Sequence, residues 1–334
     1  MGNWIKPIVY GVGGILGTCA ALLVTFQEKL VYVPVLPGTT KGYSITPASL
    51  HLNYEDVWLT SADGVRLHAW FLRRLPHCAG PNSKLKLDGS QLRMPKTSPA
   101  VAGTDDLDQP LTADPTILYF QENAGNIGDS LGFTRSMLEN LKCNVFMLSY
   151  RGYGASDGYP SQAGIIRDSQ AALEHLLQRT DIDRSKIVVF GRSLGGAVGV
   201  ALAKNNPEKF SALILENTFT SVLDMAGVVL PPLKRFIGSN DPRILNFLVR
   251  SPWNTIDIID QIKQPILFIS GSRDELVPPA HMRMLYEKTK HNRRCMFEEF
   301  PKGTHMNTWY MAGERYWQVM QHFLEKELSS SESK

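Results

Sequence analysis

The chain has 334 residues, 43% of them hydrophobic and 20% charged, which is the composition of a globular protein. Its formal net charge of +3 is too small to mark a nucleic-acid binder, and no basic stripe interleaves with aromatic residues. Cys19, Cys78, Cys143 and Cys295 lie far apart and form no Cys-x-x-Cys pair, so neither a disulfide framework nor a metal site is expected.

The first stretch bears on location. Residues 7–27 carry no charged side chain; Lys6 precedes them, and Glu28 and Lys29 follow. A helix needs about 20 apolar residues to cross a bilayer core, and this run supplies them. Gly13 and Gly17 form a Gly-x-x-x-Gly pair, a weak signal for helix packing in membranes. The run exceeds the usual core of a secretory signal, and no small-x-small cleavage site follows it. An uncleaved single-pass anchor over residues 1–29 is therefore expected. Lys6 at the sixth position excludes N-myristoylation. The flanking positive charges are nearly balanced and leave the orientation open.

Residues 57–60 and 66–72 read as two strands around Asp63-Gly64, a strong hairpin signal. His68 alternates with apolar neighbours and is read as a strand-face residue. Residues 76–115 are rich in Pro, Gly, Ser, Asp and Lys without sustained period, which reads as a flexible surface insertion. Asp105, Asp106 and Asp108 fall there without the glycine and glutamate of a calcium loop.

From residue 116 onward strands and helices alternate. Strands are expected over 116–120, 144–150, 186–190, 212–215, 265–270 and 296–300. Helices are expected over 127–141, 162–178, 194–204, 280–288 and 307–328. This rhythm predicts a mostly parallel sheet with helices on both faces, edged by the antiparallel hairpin. Residues 218–263 break the rhythm with Phe219, Leu230, Phe236, Phe247 and Trp253. They read as a short helical cap over the strand ends, where open α/β sheets bind ligands. Its apolar residues would line an acyl-chain pocket or form the cap's own core.

The chemistry centres on Gly191-Arg192-Ser193-Leu194-Gly195, set between a β-branched strand and a small-residue helix. Strand, Gly-x-Ser-x-Gly, helix is the context of a nucleophile elbow. A serine hydroxyl is a poor nucleophile and must be exposed at a strained turn and handed to a base. The Leu194 N–H, at the helix start, would donate to a developing oxyanion. With this elbow the expected chain order is serine, acid, histidine. The acid expected after strand 265–270 is Asp274, with Glu275 as positional rival. The base expected before the last helix is His305. His281, His291 and His322 are read as surface residues.

Taken together, these motifs resemble the membrane-anchored Bem (bud-emergence) family of α/β-hydrolase-domain proteins. The resemblance runs through Asn123-Ala124-Gly125-Asn126-Ile127-Gly128, Tyr150-Arg151-Gly152-Tyr153-Gly154, the elbow, Glu216-Asn217-Thr218-Phe219, Arg273-Asp274-Glu275 and Gly303-Thr304-His305. It covers nearly all of the chain after the anchor. It implies the α/β-hydrolase fold over residues 30–334 and a serine hydrolase with the triad Ser193, Asp274 and His305, needing no cofactor. It also implies attachment to the endoplasmic reticulum or plasma membrane. The implied partners are an acylated lipid or a lipidated protein as substrate, and the membrane itself, with no nucleic acid. A catalytically silent membrane-tethered protein, or an acyltransferase using the same triad, would carry the same motifs.

The chain departs from many relatives before the Asn-Ala-Gly-Asn run, where Gln121-Glu122 replaces His-Gly. The second oxyanion donor is expected from the backbone N–H of Asn123. A carboxylate beside that donor would oppose a developing oxyanion. Arg151 is the expected partner holding Glu122 aside.

Overall fold

The computed structural model describes residues 5–74, 114–238, 246–292 and 294–329. The expected insertion lies outside these residues, apart from Asp114 and Pro115, and so does Cys78. Within the described chain, Cys143 and Cys295 are free thiols.

One eight-stranded sheet organises the molecule. Strands β1 (Tyr54–Thr60) and β2 (Arg66–Leu72) form the predicted antiparallel hairpin. Its turn closes through Ser61 N–H to Val65 O (2.9 Å), with Gly64 at φ +83°, a conformation glycine adopts without steric cost. Strands β3 (Thr116–Phe120), β4 (Asn144–Leu148), β5 (Ile187–Arg192), β6 (Ala212–Glu216), β7 (Ile266–Gly271) and β8 (Cys295–Phe300) run parallel to one another. The order across the sheet is β1-β2-β4-β3-β5-β6-β7-β8.

The side-chain alternation of each strand feeds two apolar cores. Leu118, Phe120, Val189 and Leu213 face α3 (Gln162–Gln178), α4 (Leu194–Asn205) and α6 (Ala280–Thr289). Ile117, Tyr119, Val188 and Ile214 face α2 (Leu131–Leu141) and α8 (Glu314–Ser329). Burial on both faces explains why β3 to β7 read as continuous apolar runs rather than alternating ones.

The boundaries differ from expectation where capping geometry intervenes. The helix expected over 127–141 begins as a 3-10 turn, Ile127–Ser130, because Asn126 caps it through a reciprocal box with Asp129. The last helix is interrupted at Gly313 (φ +57°), leaving the short α7 (Thr308–Ala312) ahead of α8. In the cap region, α5 (Val222–Val229) is followed by short 3-10 turns.

The N-terminal run forms α1 (Ile5–Val31). Among the described residues, however, no helix is long and apolar enough to cross a membrane. Many side chains of residues 5–23 lie outside the description, and the expected transmembrane anchor has no support from the structure.

Candidate active site

The carboxyl ends of β3, β5, β6, β7 and β8 converge on one edge, and each delivers one part of the site. Beyond β5 the chain turns sharply into α4, and Ser193 sits at the turn with φ +54° and ψ −120°. A non-glycine residue rarely adopts this geometry, and its strain is characteristic of an elbow. Gly195 has to lack a side chain, since a Cβ there would lie 2.1 Å from the Phe120 carbonyl oxygen. The turn is pinned from β6: Ser193 N–H donates to Glu216 O (2.9 Å), and the Thr218 hydroxyl donates to Ser193 O (2.7 Å).

Asp274 and His305 are brought together as expected. The His305 Nδ1 lies 2.7 Å from Asp274 Oδ2, and both side chains are almost wholly buried. The other carboxylate oxygen of Asp274 accepts the N–H groups of Leu276 (2.9 Å) and Val277 (2.8 Å). The carboxylate is thus fixed before it meets the imidazole. Glu275, the positional rival, receives the backbone N–H of His305 (3.2 Å) and does not take the ring. Asn217, at φ +48°, spans the β6 and histidine loops. Its side-chain amide donates to the carbonyls of Thr304 (3.1 Å) and His305 (3.0 Å), while its oxygen accepts Gly271 N–H (2.8 Å). Asn217 and Thr218 carry no reactive chemistry, so sequence reasoning gave them no role; the only signal was their place in the Glu-Asn-Thr-Phe run.

Leu194 stands at the head of α4, as an oxyanion donor requires. Asn123 stands in the turn after β3. Its carbonyl accepts Val33 N–H (2.9 Å) and the Tyr153 hydroxyl (2.7 Å), and its side-chain amide donates to Val31 O (2.9 Å).

The expectation for Glu122 is corrected. Its partner is Arg192 of the elbow, with Nη1 to Oε1 at 3.0 Å. Arg192 also donates through Nε to Glu216 (2.9 Å), which accepts the Tyr316 hydroxyl (3.0 Å) as well. Phe133 covers the guanidinium, 4.1 Å from its ring centre. Burial raises the Glu216 carboxyl above its ordinary pKa even with Arg192 beside it. Arg151 is engaged elsewhere, with Asp63 (2.8 Å) and Asp168 (2.7 Å). The sequence separation of 70 residues hid the Arg192 pair, whereas Arg151 was suggested only by its nearness to an adjacent strand end.

A second correction concerns His281, which is buried: its Nδ1 lies 2.8 Å from the Thr220 hydroxyl. Burial lowers its pKa from the ordinary histidine value. His291 and His322 are exposed, as expected. His68 does lie on its strand, buried between Tyr43 (2.6 Å) and Asp56 (2.7 Å). Among the described residues no cluster suited to a metal ion is present.

The site is covered: Ser193 is only 6% exposed and His305 3%. One concavity is lined by Phe300, Lys302 and Met311 and another by Ile166, Ala201 and Trp253; neither is lined by Ser193. Within the cap, Phe219 and Trp253 are buried, whereas Phe236 and Phe247 are exposed.

A parallel sheet, an elbow serine and an Asp-His pair on successive strand ends define the α/β-hydrolase class. The prolyl oligopeptidase family model matches residues 161–331. The chain is 59% identical to the α/β hydrolase domain-containing protein WAV2 of Arabidopsis thaliana, covering 98% of this chain and 96% of that one. It is 37% identical to protein bem46 of Schizosaccharomyces pombe, covering 94% and 91%. It therefore belongs to the bud-emergence (Bem46) family of α/β-hydrolase-domain proteins. The uncharacterized membrane protein YNL320W of Saccharomyces cerevisiae is 31% identical, covering 96% of each chain. In fold, the chain is similar to the Pyrococcus furiosus esterase Pf2001, with a TM-score of 0.62 at 19% identity over 89% of this chain and 98% of that one.

Proposed function

We propose that the chain is a membrane-attached serine hydrolase that cleaves an ester or thioester of an acylated lipid or a lipidated protein. The observation that carries this reading is the strained Ser193 on the same sheet edge as the buried Asp274–His305 pair. Ser193 Oγ attacks the acyl carbonyl, and His305 Nε2 takes its proton. Asp274 holds Nδ1–H, which fixes the tautomer and stabilises the imidazolium. The N–H groups of Leu194 and Asn123 receive the oxyanion. His305 returns the proton to the leaving alcohol or thiol, and the acyl group remains on Ser193. Water, deprotonated by the same imidazole, then releases the acid and restores the serine.

Two features support the membrane part of the reading. Tyr10, Leu22, Phe26 and Leu30 of α1 are exposed, and the uncharged run lies in the same helix. The printed name of one relative describes a membrane protein. The lipid or lipidated substrate follows from that location and from the cap's exposed Val229, Phe236 and Phe247.

Turnover of a short-chain aryl ester tests the chemistry without fixing the natural acyl group. Ser193→Ala should lower kcat by at least about a thousandfold with its melting temperature kept. Folded wild-type protein that turns over no ester would instead favour a silent, membrane-tethered protein.

A further inference from the structure

The segment that leaves α1 does more than link a helix to a domain. Val33 forms a parallel bridge with Ala124 inside the oxyanion turn. Its N–H donates to Asn123 O (2.9 Å), and its carbonyl accepts Gly125 N–H (3.0 Å). Two residues earlier, Val31 O accepts the Asn123 side-chain amide (2.9 Å). Asn123 is thus tied through both its carbonyl and its side chain, which fixes its backbone angles and with them the direction of its N–H.

The same segment is fastened to the cap's exit. The Gln27 side chain donates to Leu248 O (2.9 Å) and accepts Arg250 N–H (2.7 Å). Tyr32, itself buried, receives the Trp253 indole N–H (2.9 Å). Further along, the chain leaves no slack around the turn. Tyr43 OH accepts Ala155 N–H (3.1 Å), and a Cβ on Gly128 would lie 2.7 Å from Ile45 O.

We infer that residues 27–33 are a positioning strap for the oxyanion turn, with Val33 and the Asn123 side chain as its fasteners. The inference rests on the hydrolase reading above. A backbone donor has to meet an oxyanion within a few tenths of an ångström, and misplacement by about 1 Å costs about a hundredfold in rate. Asn123 sits in a turn of irregular backbone, with Gly125 at φ +74°, and no sheet ladder holds it. The strap adds constraints from the end of α1 to the one that the Tyr153 hydroxyl makes at the same carbonyl. Helix and active site are therefore one mechanical unit, and Asn123 acts both as donor and as the point where the strap takes hold.

The test uses full-length protein and two independent fasteners. Asn123→Ala removes the tie to Val31 and keeps the backbone N–H. Val33→Pro removes the strap's own donor to Asn123 O and leaves that of Tyr153 in place. Each should lower kcat for a short-chain aryl ester by about 10- to 100-fold, with KM within about twofold. Each should also speed hydrogen exchange at the Gly125 amide while the global melting temperature holds within a few degrees. The double variant should lose little more than the worse single one, since both release the same turn. Glu139→Ala, on the exposed face of α2 and outside the strap, should behave as wild type. Unchanged kcat in Asn123→Ala, or a loss that only follows a fall in melting temperature, would overturn the strap. Wild-type protein without turnover would sink the hydrolase reading instead. Exchange at Gly125 then decides the strap alone: acceleration in both variants upholds it, and wild-type rates overturn it.

Discussion

Arg192 occupies the variable position of the elbow, directly before Ser193, and the residue is 1% exposed. It is held by two carboxylates, one from the oxyanion turn and one from the end of β6. Burying such charges is tolerated only while every partner is present. Arg192 therefore ties the turn after β3, which carries Glu122, to the end of β6 beside the Ser193 turn. Arg192→Met leaves two carboxylates in a low-dielectric site and should cost about 3–5 kcal/mol of stability in urea unfolding. Adding Glu122→Gln should recover part of this loss, so the two positions are strongly coupled. Arg151→Ala is also destabilising, through Asp63 and Asp168, but should add to Glu122→Gln within about 0.5 kcal/mol because they share no partner. Coupling of Glu122 to Arg151 and not to Arg192 would contradict the pairing. At this scale the strained turn at Ser193 and the Asp274–His305 contact were legible in sequence because each residue has a reactive side chain at a fixed place relative to a strand. Arg192, Asn217 and Thr218 were not, since their work is done by contacts across 24 to 91 residues of chain.

The elements were legible in proportion to how strongly burial dictates them. β3 to β7 have apolar side chains on both faces, and the apolar runs marked them. Asp63-Gly64 marked the hairpin by turn chemistry alone. Breaks set by a cap or a single backbone angle were missed, as at Asn126 and Gly313. Periodicity passes over them because neither interrupts the apolar pattern. α1 is the element whose purpose its surroundings decide. Its last turn is fixed to the body by Gln27, while Leu22, Phe26 and Leu30 remain exposed. If those side chains meet a bilayer, full-length protein should stay in the membrane pellet after carbonate extraction. Replacing Leu16, Leu22 and Leu23 with lysine should release it, since each charge at the centre of a span costs about 2.5–3.5 kcal/mol. Release of the unaltered chain by carbonate would remove membrane attachment through α1 from the proposal.

For the whole molecule, the sheet acts as a collector. Its strand order places β5 between β3 and β6, so Ser193 emerges between the turn of Asn123 and the loop of Asn217. β7 and β8 bring Asp274 and His305 together on the far side of β6. Residues more than 100 positions apart therefore share one edge without any long-range motif in the sequence. That convergence was legible once the alternation of strands and helices was read as a parallel sheet, because such a sheet aligns all its carboxyl ends. The cover over the site was not legible: the same apolar cap residues suit either a pocket or a small core, and the structure buries some and exposes others. The central claim is that this edge activates one hydroxyl. Folded wild-type protein treated with a fluorophosphonate, digested with trypsin and analysed by mass spectrometry should carry one adduct, on the peptide spanning residues 193–204. His305→Ala should lose nearly all labelling while keeping its fold. An unlabelled wild type, or an adduct on any other peptide, would contradict the account.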